Sequence, residues 1–119
     1  MSQVRPDSPE TDGLLEAVRR GERQALDRLL TRHRDELRSF VEMRLDPRLA
    51  ARVDPSDVVQ EAQAEMVRRL DDFLKRRPMP FRLWARKTAY ERLLDLHRHH
   101  IKRARRSVRR SRPSPCVSP

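Results

Sequence analysis

The sequence predicts an all-α fold, a compact bundle of about four helices, from three observations. Hydrophobic residues make up 36% of the 119 residues and charged residues 39%, so a core requires a few amphipathic helices. The chain has only two glycines and few β-branched residues, whereas a sheet needs more of both. Apolar residues also recur at helical spacing over most of the chain.

The N-terminal region is predicted to contain a disordered segment and then a short helix. Residues 1–11 are polar with two prolines, a composition that favours disorder. Thr11 or Asp12 is expected to cap the short helix, and Gly21 is expected to end it. The folded domain should therefore begin at residue 12.

Apolar spacing predicts a second, longer helix from about Arg23 to Leu45, which Pro47 stops. Its apolar face comprises Leu26, Leu29, Leu30, His33, Leu37, Phe40 and Val41. A connector, residues 46–53, should follow and contact the core through Leu49 and Val53.

The third predicted helix has a sharp start and two contrasting faces. Asp54 is expected to be its N-cap and Pro55 its first residue, and it should run to about Leu74. Its core side comprises Val59, Ala62, Met66, Leu70 and Phe73, with Val58 at the edge. The opposite side carries what we name the acidic docking face, Asp57, Gln60 and Glu61.

The sequence leaves two interpretations of the acidic docking face open. An acidic, amide-bearing patch that points away from the core suits binding to a basic protein surface. Alternatively, Asp57 is a first-turn carboxylate that stabilises the helix through capping and the helix dipole by ~0.3–1 kcal/mol. Gln60 and Glu61 would then be solvated surface.

The segment KRRPMP breaks the helical pattern, because no helix interior accepts its two prolines. A fourth helix is expected from about Phe81 to Ile101, with two apolar sides, so it is either sandwiched or reserves one side for a partner. One side comprises Phe81, Ala85, Ala89, Leu93 and Leu96, and the other Leu83, Tyr90, Leu94 and Ile101. The domain should end at residue 106, with residues 107–119 as a basic, Ser/Pro-rich, disordered tail.

Charge is divided unevenly along the chain. Residues 1–74 contain 13 Lys and Arg against 16 Asp and Glu, whereas residues 75–119 contain 15 against two. This polarity points to a polyanion partner for the C-terminal part: DNA, RNA or an anionic membrane surface. Three of the five aromatic residues lie among these cations, and rings stack on unpaired bases at ~1–3 kcal/mol each. Of the three, Phe81 is expected in the core, while Trp84 and Tyr90 remain open between core and surface.

Nothing in the sequence indicates an enzyme, a cofactor or a metal site. It has no Ser/His/Asp set, no phosphate-binding glycine loop and no paired-carboxylate pocket. His97, His99 and His100 do not share a helix face with a fourth ligand, and the single Cys116 cannot form an internal disulfide. With no apolar run near the ~20 residues of a membrane span and no signal-peptide core, we expect a cytoplasmic protein without a membrane partner.

Taken together, these segments resemble region 2 of bacterial sigma factors of the sigma-70 family, and most of all the extracytoplasmic-function (ECF) type. DVVQEAQAEMVRRLDDF resembles the polymerase-binding helix of that family, and RQALDRLLTRHRDELRSFV its first long helix. PFRLWARKTAYERLLDLHR resembles the helix that melts and reads the −10 element. The match covers about Asp12 to Arg106.

The resemblance implies roles for individual residues. The acidic docking face would bind the clamp helices in the largest subunit of core RNA polymerase. Residues 76–80, including Arg76, Arg77 and Met79, would capture a flipped-out base of promoter DNA. The other expected DNA contacts are Arg82, Trp84, Arg86, Lys87, Thr88, Glu91, Arg92 and Arg98.

The sequence departs from the family pattern at two points. Glu91 stands where the family commonly has Asn, and no room remains for the second helix-turn-helix domain that reads the −35 element. The expectation is therefore a one-domain sigma factor or a truncated form. A one-domain factor would lack a major anchor on promoter DNA, and the Arg-rich stretch from Lys102 to Arg112 would partly substitute for it through non-specific phosphate contacts.

The function expected from the resemblance is that of a non-enzymatic, nucleoid-associated transcription initiation factor. It would bind core RNA polymerase and recognise and melt a −10-type promoter element, and the resemblance allows an anti-sigma factor as a further partner. Two alternatives stay open: a generic basic nucleic-acid-binding protein, and a regulator that occupies polymerase without initiating.

Overall fold

The computed structural model describes residues 6–111, and the side chains of residues 6–105. This part of the chain is all-α, as predicted, and consists of α1 (Pro9–Arg19), α2 (Arg23–Arg44), α3 (Pro47–Ala50), α4 (Pro55–Arg76) and α5 (Phe81–Ser111). Helices α2, α4 and α5 pack on one another, and α1 packs against α2. No helix within the described range has an apolar stretch long enough to cross a membrane.

The first helix begins earlier than predicted. Ser8, and not Thr11 or Asp12, is the N-cap, since the Ser8 hydroxyl accepts a hydrogen bond from the Thr11 N–H at 3.2 Å. Thr11 is buried, and its hydroxyl lies 3.2 Å from Nε2 of the buried His33 on α2. The prediction of disorder for residues 1–11 is therefore wrong for residues 6–11, and residues 1–5 lie outside the described part. Local polarity misleads here because contacts with distant residues hold the segment.

Helices α2 and α4 match their predicted positions. The predicted connector between them contains one helical turn, α3, which Asp46 caps by accepting from the Arg48 N–H at 2.8 Å. Leu49 in that turn is buried, as predicted. Asp54 caps α4 as expected, since it accepts from the Ser56 N–H at 2.9 Å. All members of the predicted core side of α4 are buried: Val58, Val59, Ala62, Met66, Leu70 and Phe73.

The last helix is ten residues longer than expected, since α5 continues from Ile101 to Ser111. The prediction of a disordered tail is therefore wrong for residues 107–111, and residues 112–119 lie outside the described part. Arg, which has a high helix propensity, makes up half of residues 102–111, and the stretch contains no proline before Pro113. Residues 101–105 are exposed, so this part of α5 stays helical without packing on the core.

An aromatic cluster joins α4 to α5 and places the loop between them. The rings of Phe73 and Trp84 stack with centroids 4.3 Å apart, and Phe81 packs against Trp84 at 5.8 Å. His33 of α2 lies 5.1 Å from the Phe81 ring. Such contacts stabilise beyond simple burial by about 0.5–1.5 kcal/mol per aromatic pair. The cluster therefore fixes the start of α5 relative to the end of α4.

Candidate nucleic-acid and protein-binding surfaces

The acidic docking face is exposed on the side of α4 opposite to its buried residues. Its three residues, however, do not form one free patch. Glu61 Oε1 lies 2.5 Å from Arg92 Nε on α5. Gln60 instead lines a groove towards α2, together with Arg34 and Arg38. Helical spacing places Asp57 between Gln60, which faces α2, and Glu61, which faces α5. Among the described residues, the Asp57 side chain makes no hydrogen bond.

An open groove of about 400 Å³ runs between α4 and α5 beside this face. Acidic and basic side chains alternate along it: Glu61, Glu65, Arg68, Arg69, Glu91 and Arg92. A hydrogen bond from Arg68, together with the nearby charges of Arg68 and Arg69, lowers the pKa of Glu65. Glu61 pairs with Arg92, and Glu65 with Arg68 and Arg69, so much of the charge along the groove is neutralised within the protein.

The loop between α4 and α5, residues 77–80, is tightly built. Arg77 has a positive φ of 41° and ends α4, with its N–H donating to the Phe73 carbonyl at 2.7 Å. Two prolines follow, and Met79 between them packs partly against the core. Arg76 just before the loop is exposed and pairs with Asp72 at 3.3 Å. Arg76 is thus more accessible to a partner than Met79.

Asp7 closes this loop, and the sequence reasoning missed it. Its Oδ2 accepts from the Phe81 N–H at 2.8 Å and its Oδ1 from the Arg82 N–H at 3.2 Å. Its Oδ2 also lies 3.4 Å from the guanidinium of Arg77. No local pattern signals this role, because the partners lie 70 to 75 residues away along the chain.

Two of the predicted DNA contacts on α5, Arg82 and Arg86, converge on Glu36 of α2. Their nitrogens lie 3.9 and 2.5 Å from the Glu36 carboxylate, and both side chains are partly buried. They tie α5 to α2 in this conformation, so their charge is largely neutralised within the protein. Lys87, Glu91 and Arg98 are exposed, and Arg98 pairs with Asp95 on the same helix at 3.0 Å.

Two further predicted DNA contacts are not on the surface. The Trp84 side chain lies in the aromatic cluster, and the residue is only 9% exposed. Thr88 is buried one turn later, with its hydroxyl donating to the Trp84 carbonyl at 2.9 Å. The assignment of these side chains as DNA contacts is therefore wrong. Periodicity places Trp84 at the edge of the core face, and stacking on Phe73 turns it inward.

The C-terminal part of α5 is a basic surface. Arg98, Lys102, Arg103 and Arg105 are exposed, and Asp95 is the nearest acidic residue in the sequence. Exposed cations on a helix that extends beyond its packing contacts can neutralise phosphates without disturbing the core. The predicted helix ended at about Ile101, and in the structure α5 continues through the rest of this surface.

The described residues contain no cluster of three His, Cys, Asp or Glu side chains arranged to hold a metal ion. No protein-family model matches the chain, and comparisons with curated proteins and with solved structures found no match either.

Proposed function

We propose that the protein is a sigma-like transcription initiation factor. It binds core RNA polymerase through the acidic docking face and engages a −10-type promoter element through the loop at residues 77–80 and the exposed side of α5. The observation that supports this proposal most is that Asp57 and Gln60 are exposed on α4 while Lys87 and the cations from Arg98 to Arg105 are exposed on α5, which packs against α4. The acidic docking face lies on α4, and the basic residues lie on α5, with a short loop between the two helices.

The polymerase half of the proposal draws on Asp57 and Gln60. Both side chains are exposed, and neither contributes to the core. The N-cap of α4 is Asp54, whose carboxylate already accepts from the Ser56 N–H. Capping is therefore provided without Asp57, which weakens the purely structural interpretation and leaves its carboxylate available for a basic partner.

The DNA half draws on groups that remain accessible. Arg76 at the loop, Lys87 and the basic end of α5 supply cations for phosphate contacts. The loop itself would take a base out of the stack, so that melting is driven by binding and not by hydrolysis. Because Trp84 is buried, stacking on bases would fall to Tyr90, the exposed aromatic residue of α5.

The test is the double substitution Asp57→Ala with Gln60→Ala, measured by binding of the full chain to core RNA polymerase. We expect the affinity to fall about tenfold, equivalent to ~1.4 kcal/mol, with unchanged helicity. Asp71→Ala is the matched control, since Asp71 is an exposed acidic residue near the other end of α4. Unchanged polymerase binding would refute the proposal, and lost helicity would assign the two residues a structural role.

A generic nucleic-acid-binding protein is the second candidate, favoured by the basic extension of α5. It predicts tight binding to any duplex without polymerase, with affinity that falls steeply as salt rises. The sigma-like function instead predicts a preference for DNA with a melted bubble in the presence of polymerase. Promoter-dependent transcription in a reconstituted assay separates an initiation factor from a regulator that only occupies polymerase.

A further inference from the structure

Helix α5 receives its N-terminal cap from a distant part of the chain. The residue before Phe81 is Pro80, which has no side-chain acceptor for the free N–H groups of the first turn. Asp7 supplies both acceptors, to the N–H groups of Phe81 and Arg82, and its side chain is only 1% exposed. Burying a carboxylate is unfavourable, and here the hydrogen bonds that it accepts at the positive end of a helix offset that cost.

The same carboxylate also holds the first residue of the loop. The Arg77 guanidinium lies 3.4 Å from Asp7 and 3.7 Å from Asp12, above the Phe73 ring at 5.7 Å. The positive φ of Arg77 is a backbone conformation that residues other than glycine rarely adopt, so surrounding contacts have to maintain it. Asp7 therefore contacts both ends of the loop.

Asp7 is itself held by the start of α1. We name residues 6–8 the N-terminal strap. Ser8 caps α1 directly after Asp7, and Arg19 at the end of α1 donates to the Leu74 carbonyl of α4 at 3.0 Å. The strap is thus attached at one end to a helix that packs on α2 and contacts α4. This arrangement gives Asp7 a defined position relative to the loop.

We propose that Asp7 is a positioning residue for base capture by the loop. The N-terminal strap holds residues 77–80, and a cleft of about 460 Å³ beside them, in the shape that receives an unpaired base. Pro6, Asp7, Asp12, Arg77, Met79 and Pro80 line this cleft. Asp7 does not touch the base; it acts by holding the backbone of the loop. A loop that is already ordered in the free protein loses less conformational entropy when it binds the base, so the complex is more stable. The inference rests on the proposed function of the loop.

The first test measures the strap without reference to DNA. Amide hydrogen exchange at Phe81 and Arg82 is compared in the unmodified chain, Asp7→Asn and Asp7→Ala. Asn keeps one acceptor oxygen and Ala keeps none, so protection should fall in that order, by about fivefold or more for Ala. Asp71→Asn, an exposed acid-to-amide change on α4, should leave both amides unchanged.

The second test measures base capture by the full chain bound to core RNA polymerase. Two bubble DNAs are used, identical except that one lacks a single base of the −10 element. The unmodified chain should prefer the intact bubble, and Asp7→Asn should reduce that preference about fivefold while polymerase binding stays constant. Asp71→Asn should retain the full preference.

The outcomes separate the inference from the proposed function. Faster amide exchange together with a lost preference for the intact bubble supports the positioning role. Unchanged exchange in both Asp7 variants, or a full preference retained in Asp7→Asn, overturns it while the proposed function stands. If the unmodified chain does not distinguish the two bubbles, base capture by the loop is refuted, and this inference with it.

Discussion

Glu61 on α4 and Arg92 on α5 form an ion pair in which Oε1 and Nε are 2.5 Å apart. The pair joins a residue proposed to bind polymerase to one proposed to contact DNA. Both side chains are partly exposed, so solvent screens their attraction. A partner that binds the Glu61 carboxylate would free the Arg92 guanidinium. The free energy needed to break this exposed ion pair is small enough for a protein interface to supply.

We expect the Glu61–Arg92 pair to contribute little to folding. A double-mutant cycle with Glu61→Gln and Arg92→Gln should give a coupling energy of ~0.2–1 kcal/mol in chemical denaturation. High salt should remove most of it, because exposed charges are screened. A coupling well above ~2 kcal/mol would mean that the pair is a structural element that no partner could readily separate.

Trp84 should behave as a core residue and not as a base-stacking residue. Trp84→Ala should destabilise the fold by ~3–5 kcal/mol, because it removes a ring stacked on Phe73. Tyr90→Ala is the control, since Tyr90 is 46% exposed and its loss should change stability by less than about 1 kcal/mol.

Fluorescence offers an independent check on Trp84, the only tryptophan of the chain. Its emission should be that of a buried indole and should not change when single-stranded DNA is added. Strong quenching by DNA without a change in helicity would place Trp84 back at the nucleic-acid surface.

The core side of α4 predicts different effects of substitution at two neighbouring positions, one buried and one exposed. Met66 is 1% exposed and Val67 is 43% exposed. Met66→Ala should lower the free energy of unfolding by ~2–5 kcal/mol, because it leaves a cavity among α2, α4 and α5. Val67→Ala should cost less than about 1 kcal/mol. Equal effects in thermal or chemical denaturation would contradict the described packing of α4.

His33 should make stability depend on pH. Burial lowers its pKa, although the nearby Glu36 and Asp7 act in the opposite direction. The unfolded chain then binds a proton more readily than the folded chain. The contribution of His33 to the free energy of unfolding is therefore fully present above its unfolded pKa of about 6.5. It is lost as the pH falls through the lower pKa of the folded state.

The measurement for His33 is thermal unfolding between pH 7.5 and 5.5. The melting temperature of the unmodified chain should fall over this range, and His33→Gln should show a smaller fall. Gln is chosen because its amide can keep a hydrogen bond to the Thr11 hydroxyl, which lies 3.2 Å from His33 Nε2. An equal slope in both proteins would show that His33 does not carry the effect.

Much of the fold follows from periodicity. The core side of α4, its Asp54 cap and the extent of α2 are all local patterns, and the structure agrees with each of them. The exposure of Asp57 and Gln60 follows from the same helical spacing. The surface of α5 was harder to predict, because a helix with two apolar sides does not indicate which side is buried.

Three of the errors share one physical cause. Asp7, Trp84 and Thr88 were misplaced because their positions depend on residues far away in the chain or across a helix interface. Asp7 accepts hydrogen bonds from amides 74 and 75 residues later, and Trp84 stacks on Phe73 of the preceding helix. Composition describes the average environment of a segment, and long-range partners override it.

The amino-acid sequence alone determined the helical class, the amphipathic faces and the division of charge between the two parts of the chain. These properties depend on side chains spaced within one helix or summed over a segment. Only the tertiary structure decided which cations are already paired with Glu36 and Glu61, and that the N-terminal strap closes the loop before α5. Those outcomes arise because packing brings together charges and backbone groups that are distant in the chain, and their pairing depends on three-dimensional distance.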